Sequence, residues 1–383
     1  MATVENLRLL AVCSYAVFTI AVSLVAFPQR VVWPTMRQLC GRQTQKRTAE
    51  FSRWLCEEPN VVLQIFYLMF VCGGYGTVVV FAYPRVPCTS LGPQHRGLGM
   101  LCFASCLTSF VAASTREPGY IVDNETVAKH ENYAYDCMLF WPNKVCPTAN
   151  VCKIARSKYC ATTKCNIARF DHFCPWVNNA IGEENYRVFL LFLSCHAVLL
   201  CYGAICISLI LYDLILIEDL FNVKFYDPRT GTTMTSSKLL VLQYLITAER
   251  ALCGLLAICV IMAAVVTAFL AYHIWLVKLG QTTNERHKWS VLAKARERPN
   301  PEILANAPTA AKEPPVPRYY LDRNSASVDG ANNSKAFNVD WMISPVNVYN
   351  RGFLLNIHEV LFPRSLRSTA LTRAERAESR KQA

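Results

Sequence analysis

Five long apolar runs limit what this chain can fold into. They cover about Leu7 to Phe27, Val61 to Tyr83, Gly97 to Ser114, Val188 to Ile217 and Ala251 to Val277. A helix needs ~20 apolar residues to cross the hydrocarbon core, and inside lipid its backbone groups must be paired within the segment. The expected fold is therefore an all-α integral membrane bundle of five transmembrane helices. The runs account for a composition that is 53% hydrophobic and only 17% charged. The leader of the first run sets Glu5 against Arg8 and no small-x-small cleavage site follows, so that run reads as a retained span rather than a signal peptide.

Charge placement gives an orientation. Of 39 Lys and Arg, six fall in residues 28–60, nine in 115–187 and 17 after residue 277. The positive-inside rule then puts these three segments in the cytosol and the N-terminus in the lumen. The net charge of +12 reads as topology and contact with anionic lipid, because no nucleic-acid fold signature accompanies it. The connector at 28–60 is basic and partly amphipathic, with Trp33, Phe51 and Trp54 among its arginines.

Between the third and fourth runs lies Asp171-His172-Phe173-Cys174-Pro175-Trp176-Val177-Asn178-Asn179. An acid, an imidazole and a thiol within four residues are the parts of a nucleophilic acyl-transfer site. The imidazole handles the thiol proton and the carboxylate orients the imidazole. Neighbours in a regular strand point to opposite faces, so Asp171 reaches His172 only from an irregular turn.

The flanks carry a resemblance. Ala155-Arg156-Ser157-Lys158-Tyr159-Cys160, followed by Ala168 to Asn185, resembles the cysteine-rich domain of the DHHC protein S-acyltransferases, with Phe173 at the third motif letter. Thr282-Thr283-Asn284-Glu285 looks like the family's TTxE motif. Asn347 to Gly352, with Asn356 and Phe362, looks like its C-terminal aromatic-and-asparagine motif, and Arg116-Glu117-Pro118-Gly119 is a variant of its Asp-Pro-Gly. The likeness covers roughly residues 61 to 362.

It implies a domain order: 1–60, an extra helix and basic connector; 61–114, core spans 1 and 2; 115–187, a small cytosolic cysteine-rich β-hairpin domain; 188–277, core spans 3 and 4; 278–383, a cytosolic C-terminal region. It implies a protein S-palmitoyltransferase with Cys174 as nucleophile, His172 as base and Asp171 as orienting acid. Thr282, Thr283, Glu285, Asn356 and Tyr349 would support them from behind. Arg156, Lys158, Lys164, Arg169 and Trp176 are candidates to meet the acyl-CoA, the basic ones through its phosphates. The substrates would be fatty acyl-CoA and membrane-associated proteins with cytosolic cysteines. A catalytically inactive membrane scaffold on the same fold is the alternative. Arg380-Lys381-Gln382-Ala383 resembles a dibasic retrieval tail, in keeping with the endoplasmic reticulum or Golgi.

The family also holds two zinc ions, and here the chain departs from its pattern. In register, the first site would be Cys146, Ala149, Tyr159 and Asn166, and the second Cys160, Thr163, Phe173 and Ala180. Structural zinc needs four N or S donors, and each set keeps one. An off-register set, Cys146, Cys152, Cys160 and Cys165, has C-x5-C, C-x7-C and C-x4-C spacing, only the last of which matches the C-x2–4-C pairs usual for structural zinc. The expectation is that no metal or other cofactor is bound and that apolar packing holds the hairpins.

Overall fold

The computed structural model describes residues 47, 50–55, 58, 60–227, 231–297 and 347–367. The expected N-terminal helix at Leu7 to Phe27 and the retrieval-like tail Arg380-Lys381-Gln382-Ala383 lie outside the described residues. Four helices are long and apolar enough to cross a membrane: Val62–Arg85, Gln94–Thr115, Tyr186–Ile217 and Arg250–Lys278. They match four of the five apolar runs. The second begins three residues before its run, because His95 and Arg96 are helical but do not register as apolar.

The helices in chain order are α1 (Val62–Thr77), α2 (Gln94–Thr115), α3 (Asn124–His130), α4 (Tyr186–Ile217), α5 (Lys238–Ala248), α6 (Arg250–Leu279), α7 (Thr283–Glu297) and α8 (Phe353–Leu361). The strands are β1 (Tyr120–Ile121), β2 (Lys158–Cys160), β3 (Cys165–Ile167), β4 (His172–Cys174), β5 (Asn179–Ile181), β6 (Lys224–Asp227) and β7 (Thr232–Thr235). They divide between two compact units. The first holds the described residues up to Thr115, with Pro175–Asn179 and Val188–Ala271. The second holds Arg116–Cys174, Ala180–Arg187 and the described residues from Tyr272 onward.

In the first unit, α1 runs on through a π-helical turn, Val78–Ala82, and a 3-10 turn, Tyr83–Arg85. Its core joins Ala82, Val86 and Leu91 to Ile207, Ile210 and Leu211 of α4 and to Leu252, Leu255 and Cys259 of α6. No more than 22% of any spanning window is buried inside the protein. Ile205, Val260, Ile261 and Val265 all face outward. Water would make such a surface costly, whereas hydrocarbon covers it at no cost. The polar groups inside are paired, as lipid requires. Tyr67 Oη and His196 Nε2 lie 2.6 Å apart, and Asp213 accepts from the N–H and hydroxyl of Ser90. Asn179 Nδ2 donates to Ala113 O, and Gln64 Nε2 to Val177 O. Residues 218–249, which show no clear pattern in sequence, form the β6–β7 hairpin and α5, with Ser237 capping α5 through the Leu240 N–H.

The second unit is built on short antiparallel strands. β3 lies between β1 and β2, so that Ile167 faces Tyr120 on one side and Lys158 on the other. β4 and β5 pair as a separate two-stranded sheet. Cys160, Ile167, Phe170 and Ala180 form one buried cluster with Phe173 and Tyr120 against it, and Ile121, Ile154 and Ala168 form a second. The C-terminal segment is tied in by ion pairs and backbone bonds: Arg364 to Glu359 at 2.7 Å, Arg364 to Asn132 O, and the Ser365 N–H to Glu183. Two glycines set the chain's close approaches. Gly280 has φ +64°, and a Cβ there would sit 2.8 Å from Asn350 Cα. At Gly182 a Cβ would meet Pro118 O at 2.5 Å and Ile167 Cγ2 at 2.6 Å.

At the positions where the family resemblance implies zinc, the side chains do not fit the metal. Cys146 stands with Ala149, Tyr159 and Asn166, of which only the thiol is a zinc ligand. Burial would push the Cys146 thiol up, yet the N–H groups of Ala149 and Thr148, the nearby Asn166 amide and Lys153 leave it below its ordinary value. At the second position Phe173 and Ala180 belong to the apolar cluster around Cys160. Among the described residues no three or more His, Cys, Asp or Glu are gathered to hold a metal, the off-register cysteines included.

Replacing Gly182 by Ala should destabilise the second unit by about 1–3 kcal/mol, the usual range for forcing a methyl into filled space. Thermal denaturation of the detergent-solubilised protein should show a lower midpoint.

Candidate active site

The site begins with a turn. Phe170 ends a loop in which Arg169 has φ +43°, and the Asp171 N–H bonds to Ile181 O at 2.8 Å, starting the β4–β5 pairing. The irregular backbone before β4 lets two consecutive side chains meet, as the sequence argument required. Asp171 Oδ2 lies 2.6 Å from His172 Nδ1. That leaves Nε2 for the Cys174 sulfur, which hydrogen-bonds the same ring. Asp171 and Cys174 are buried, and a quarter of the His172 side chain is exposed.

Asp171 is gripped from behind. The Thr283 N–H donates to Oδ1 at 2.7 Å and the Thr283 hydroxyl to Oδ2 at 3.0 Å. Thr283 is the first residue of α7, so the carboxylate also sits at the positive end of a helix. Thr282 caps that helix. Its hydroxyl accepts from the Glu285 N–H and donates to Phe170 O, while Glu285 accepts from the Thr282 N–H at 2.9 Å. This is a reciprocal capping box. The same residues are thus both a helix cap and a brace, because the cap fixes the N–H that holds Asp171.

Glu285 passes the brace on. It takes Arg156 in a two-pronged pair, 2.7 Å at each oxygen, and Arg156 also donates to Gly280 O. The Arg156 guanidinium lies 4.5 Å from the Tyr349 ring centre and 5.0 Å from that of Tyr133. Glu285 and Arg156 side chains are each 1% exposed. Removing either would strand the other's charge, at about 3–5 kcal/mol. Tyr349 Oη donates to Ala134 O, and Asn356 joins Lys278 O, Asn350 and the Arg351 N–H, closing the C-terminal motif onto the end of α6.

The charges favour a protonated His172 beside an ionised Asp171. Burial would raise Asp171, but the His172 hydrogen bond and charge, His273 and the Thr283 N–H hold it below the usual carboxylate range. Burial would lower His172, but its bonds to Asp171 and Cys174, and their charges, raise it to about 10. At neutral pH the imidazole therefore carries a proton beside the sulfur, rather than waiting as a free base near 6.5.

The expected acyl-CoA contacts separate. Lys158 and Lys164 are exposed, with Lys158 Nζ 5.2 Å from the Phe170 ring centre, and Trp176 is half-buried. Arg156 and Arg169 are 1% and 5% exposed, so neither offers a surface charge to a phosphate. Arg156 is committed to Glu285, and Arg169 stacks toward Tyr186 at 5.9 Å. The spacing of basic residues marks a basic strand but not which side chains turn inward.

Two groups, His273 and its partner Tyr186, escaped the sequence reading. His273, near the end of α6, is 1% exposed; its ring centre is 5.9 Å from that of His172, and its Nδ1 is 3.0 Å from Tyr186 Oη. A histidine inside an apolar run was the available signal, since ionisable groups there mark function by default.

Known proteins are similar to the chain in this same region. A family model described as DHHC palmitoyltransferase matches residues 140–290. Palmitoyltransferase SWF1 of Yarrowia lipolytica is 28% identical over 94% of this chain and 99% of its own. Palmitoyltransferase swf1 of Schizosaccharomyces pombe is 30% identical over 83% of this chain and 81% of its own. Palmitoyltransferase ZDHHC4 of Mus musculus is 30% identical over 60% of this chain and 65% of its own. With four apolar helices of spanning length, the chain belongs to the DHHC palmitoyltransferase family and is a multi-pass membrane protein S-acyltransferase.

Proposed function

We propose that transfer runs through an acyl-enzyme on Cys174, with His172 moving the proton and Asp171, held by Thr283, aiming it. The observation that carries this is the 2.6 Å Asp171–His172 contact on an imidazole that also bonds the Cys174 sulfur. In the first step the Cys174 thiolate attacks the acyl-CoA thioester carbonyl. As the carbon–sulfur bond to CoA breaks, protonated His172 gives its proton to the departing sulfur. Acylation removes the thiolate charge that helped hold that proton, so His172 is left neutral beside an uncharged thioester. In the second step it takes the proton of an incoming protein thiol, which attacks the acyl carbonyl. Cys174 leaves as thiolate, and the ion pair is restored. The exposed Lys158 and Lys164 suit charge-assisted bonds to the CoA phosphates.

Labelled palmitoyl-CoA tests the assignment. Cys174→Ser should abolish the hydroxylamine-sensitive label, His172→Ala should slow labelling by about 10²–10⁴-fold, and Asp171→Asn should slow it by misorienting the ring. Undiminished labelling in folded Cys174→Ser protein would move the chemistry elsewhere. An unlabelled wild type would favour the scaffold.

We read the hairpins as held by packing rather than zinc, supported by the single thiol at each expected position and the Phe173 cluster. Prolonged chelation should leave the thermal midpoint and the labelling rate unchanged, and elemental analysis should find less than one zinc per chain. A tightly bound stoichiometric zinc would refute this.

The basic asymmetry supports an active site in the cytosol, in membranes of the endoplasmic reticulum or Golgi, with cytosolic cysteines of membrane-associated proteins as acceptors. An Asn-x-Thr acceptor inserted at the Gly231 turn should receive an N-glycan, and the native Asn124-Glu125-Thr126 should not. Glycan at Asn124 would invert the topology.

A further inference from the structure

The catalytic imidazole has a second imidazole for a neighbour. His172 and His273 lie with ring centres 5.9 Å apart at 38°. In a buried setting two such rings cannot both hold a proton cheaply, since like charges at this distance repel strongly once water is excluded. The reaction needs that proton on His172. Burial already disfavours a charge on His273, and a hydrogen bond to the ring can add to that bias.

Tyr186, the first residue of α4, is placed to do this. Its hydroxyl lies 3.0 Å from His273 Nδ1. A phenol that donates there occupies the ring's basic lone pair and leaves the hydrogen on Nε2, so a further proton could be added only by breaking the bond. The pair is boxed in. Tyr272 meets the His273 ring edge-on at 5.7 Å, and Tyr186 lies at 5.8 Å and 58° to it. The charged and titratable groups facing the pair are Asp171, His172 and Cys174 from the β4 segment, Arg169 from the loop before it, Tyr272 on α6, and Arg286 on α7 near Tyr272. Asp171 lies close enough to favour a proton on either histidine, which is why the choice between them must be made by something else.

We infer that Tyr186 and His273 are positioning residues that confine the site's positive charge to His172: the phenol caps His273 as a neutral ring, and that ring walls the face of the catalytic imidazole. This rests on the Cys174–His172 assignment above and adds a discriminating function to it. It also gives a reason for a histidine rather than a phenylalanine at 273, since Phe would wall the site but leave the Tyr186 hydroxyl without its acceptor.

The test is the shape of the pH–rate profile for Cys174 acylation between about pH 5.5 and 8, each variant normalised to its own plateau. Tyr186→Phe frees the Nδ1 lone pair, so His273 should take up a proton more readily as the pH falls through this range. Its normalised rate should then fall about tenfold below wild type at pH 5.5. His273→Gln cannot titrate and should show no such limb. The double variant Tyr186→Phe with His273→Gln should lose the limb that the single one gained. A purely structural loss in Tyr186→Phe would lower the rate equally at every pH, and a profile parallel to wild type would overturn the inference. Loss of the assignment itself would look different: label would persist in Cys174→Ser, or His172→Ala would label at the wild-type rate.

Discussion

The buried pair of Arg156 and Glu285 is the interaction on which the site depends. Each prong is 2.7 Å, and the guanidinium is enclosed by the faces of Tyr133 and Tyr349. A charge so placed is tolerated only when every donor has a partner. Here Glu285, Gly280 O and, at 3.7 Å, Glu359 supply them. The pair sets where Glu285 stands, Glu285 sets the first turn of α7, and that turn presents the Thr283 N–H to Asp171. A surface bridge in this position would hold much less, because solvent and side-chain entropy would blunt it.

This arrangement explains how a chain can keep the reactive trio while departing from the metal pattern around it. The zinc-implied positions lie in the hairpins, whose side chains now pack on Cys160, Ile167 and Phe170. The brace on Asp171 comes instead from α7 and the C-terminal segment, with Arg156 as the hairpin region's contribution. The orientation of the trio therefore does not run through the substituted positions.

Much of the architecture was legible in sequence because it rests on local pattern. Apolar runs declare spanning helices whatever their neighbours, and Thr282 and Glu285 announce a helix start by spacing alone. Long-range partners leave no such mark. Arg156 meets Glu285 across 129 residues, so a window on Arg156 to Arg169 shows a row of cations and cannot tell Lys158, which is exposed, from Arg156, which is buried. His273 was hidden for a related reason: its partners Tyr186 and His172 lie far earlier in the chain, and a lone polar residue in an apolar run names none of them.

The brace has a consequence in time. A ribosome releases Asp171, His172 and Cys174 well before Thr283, and Tyr349 later still. A nascent chain thus displays its thiol and imidazole while the carboxylate behind the imidazole has no clamp, and the guanidinium that will fix the clamp has only part of its enclosure. On the proposed chemistry, the nucleophile is aimed only when the segment carrying Tyr349 folds back. On that proposal, synthesis of the segment carrying Thr283 and Tyr349 is the event that arms the site, and a chain stalled short of it would carry the motif without its clamp.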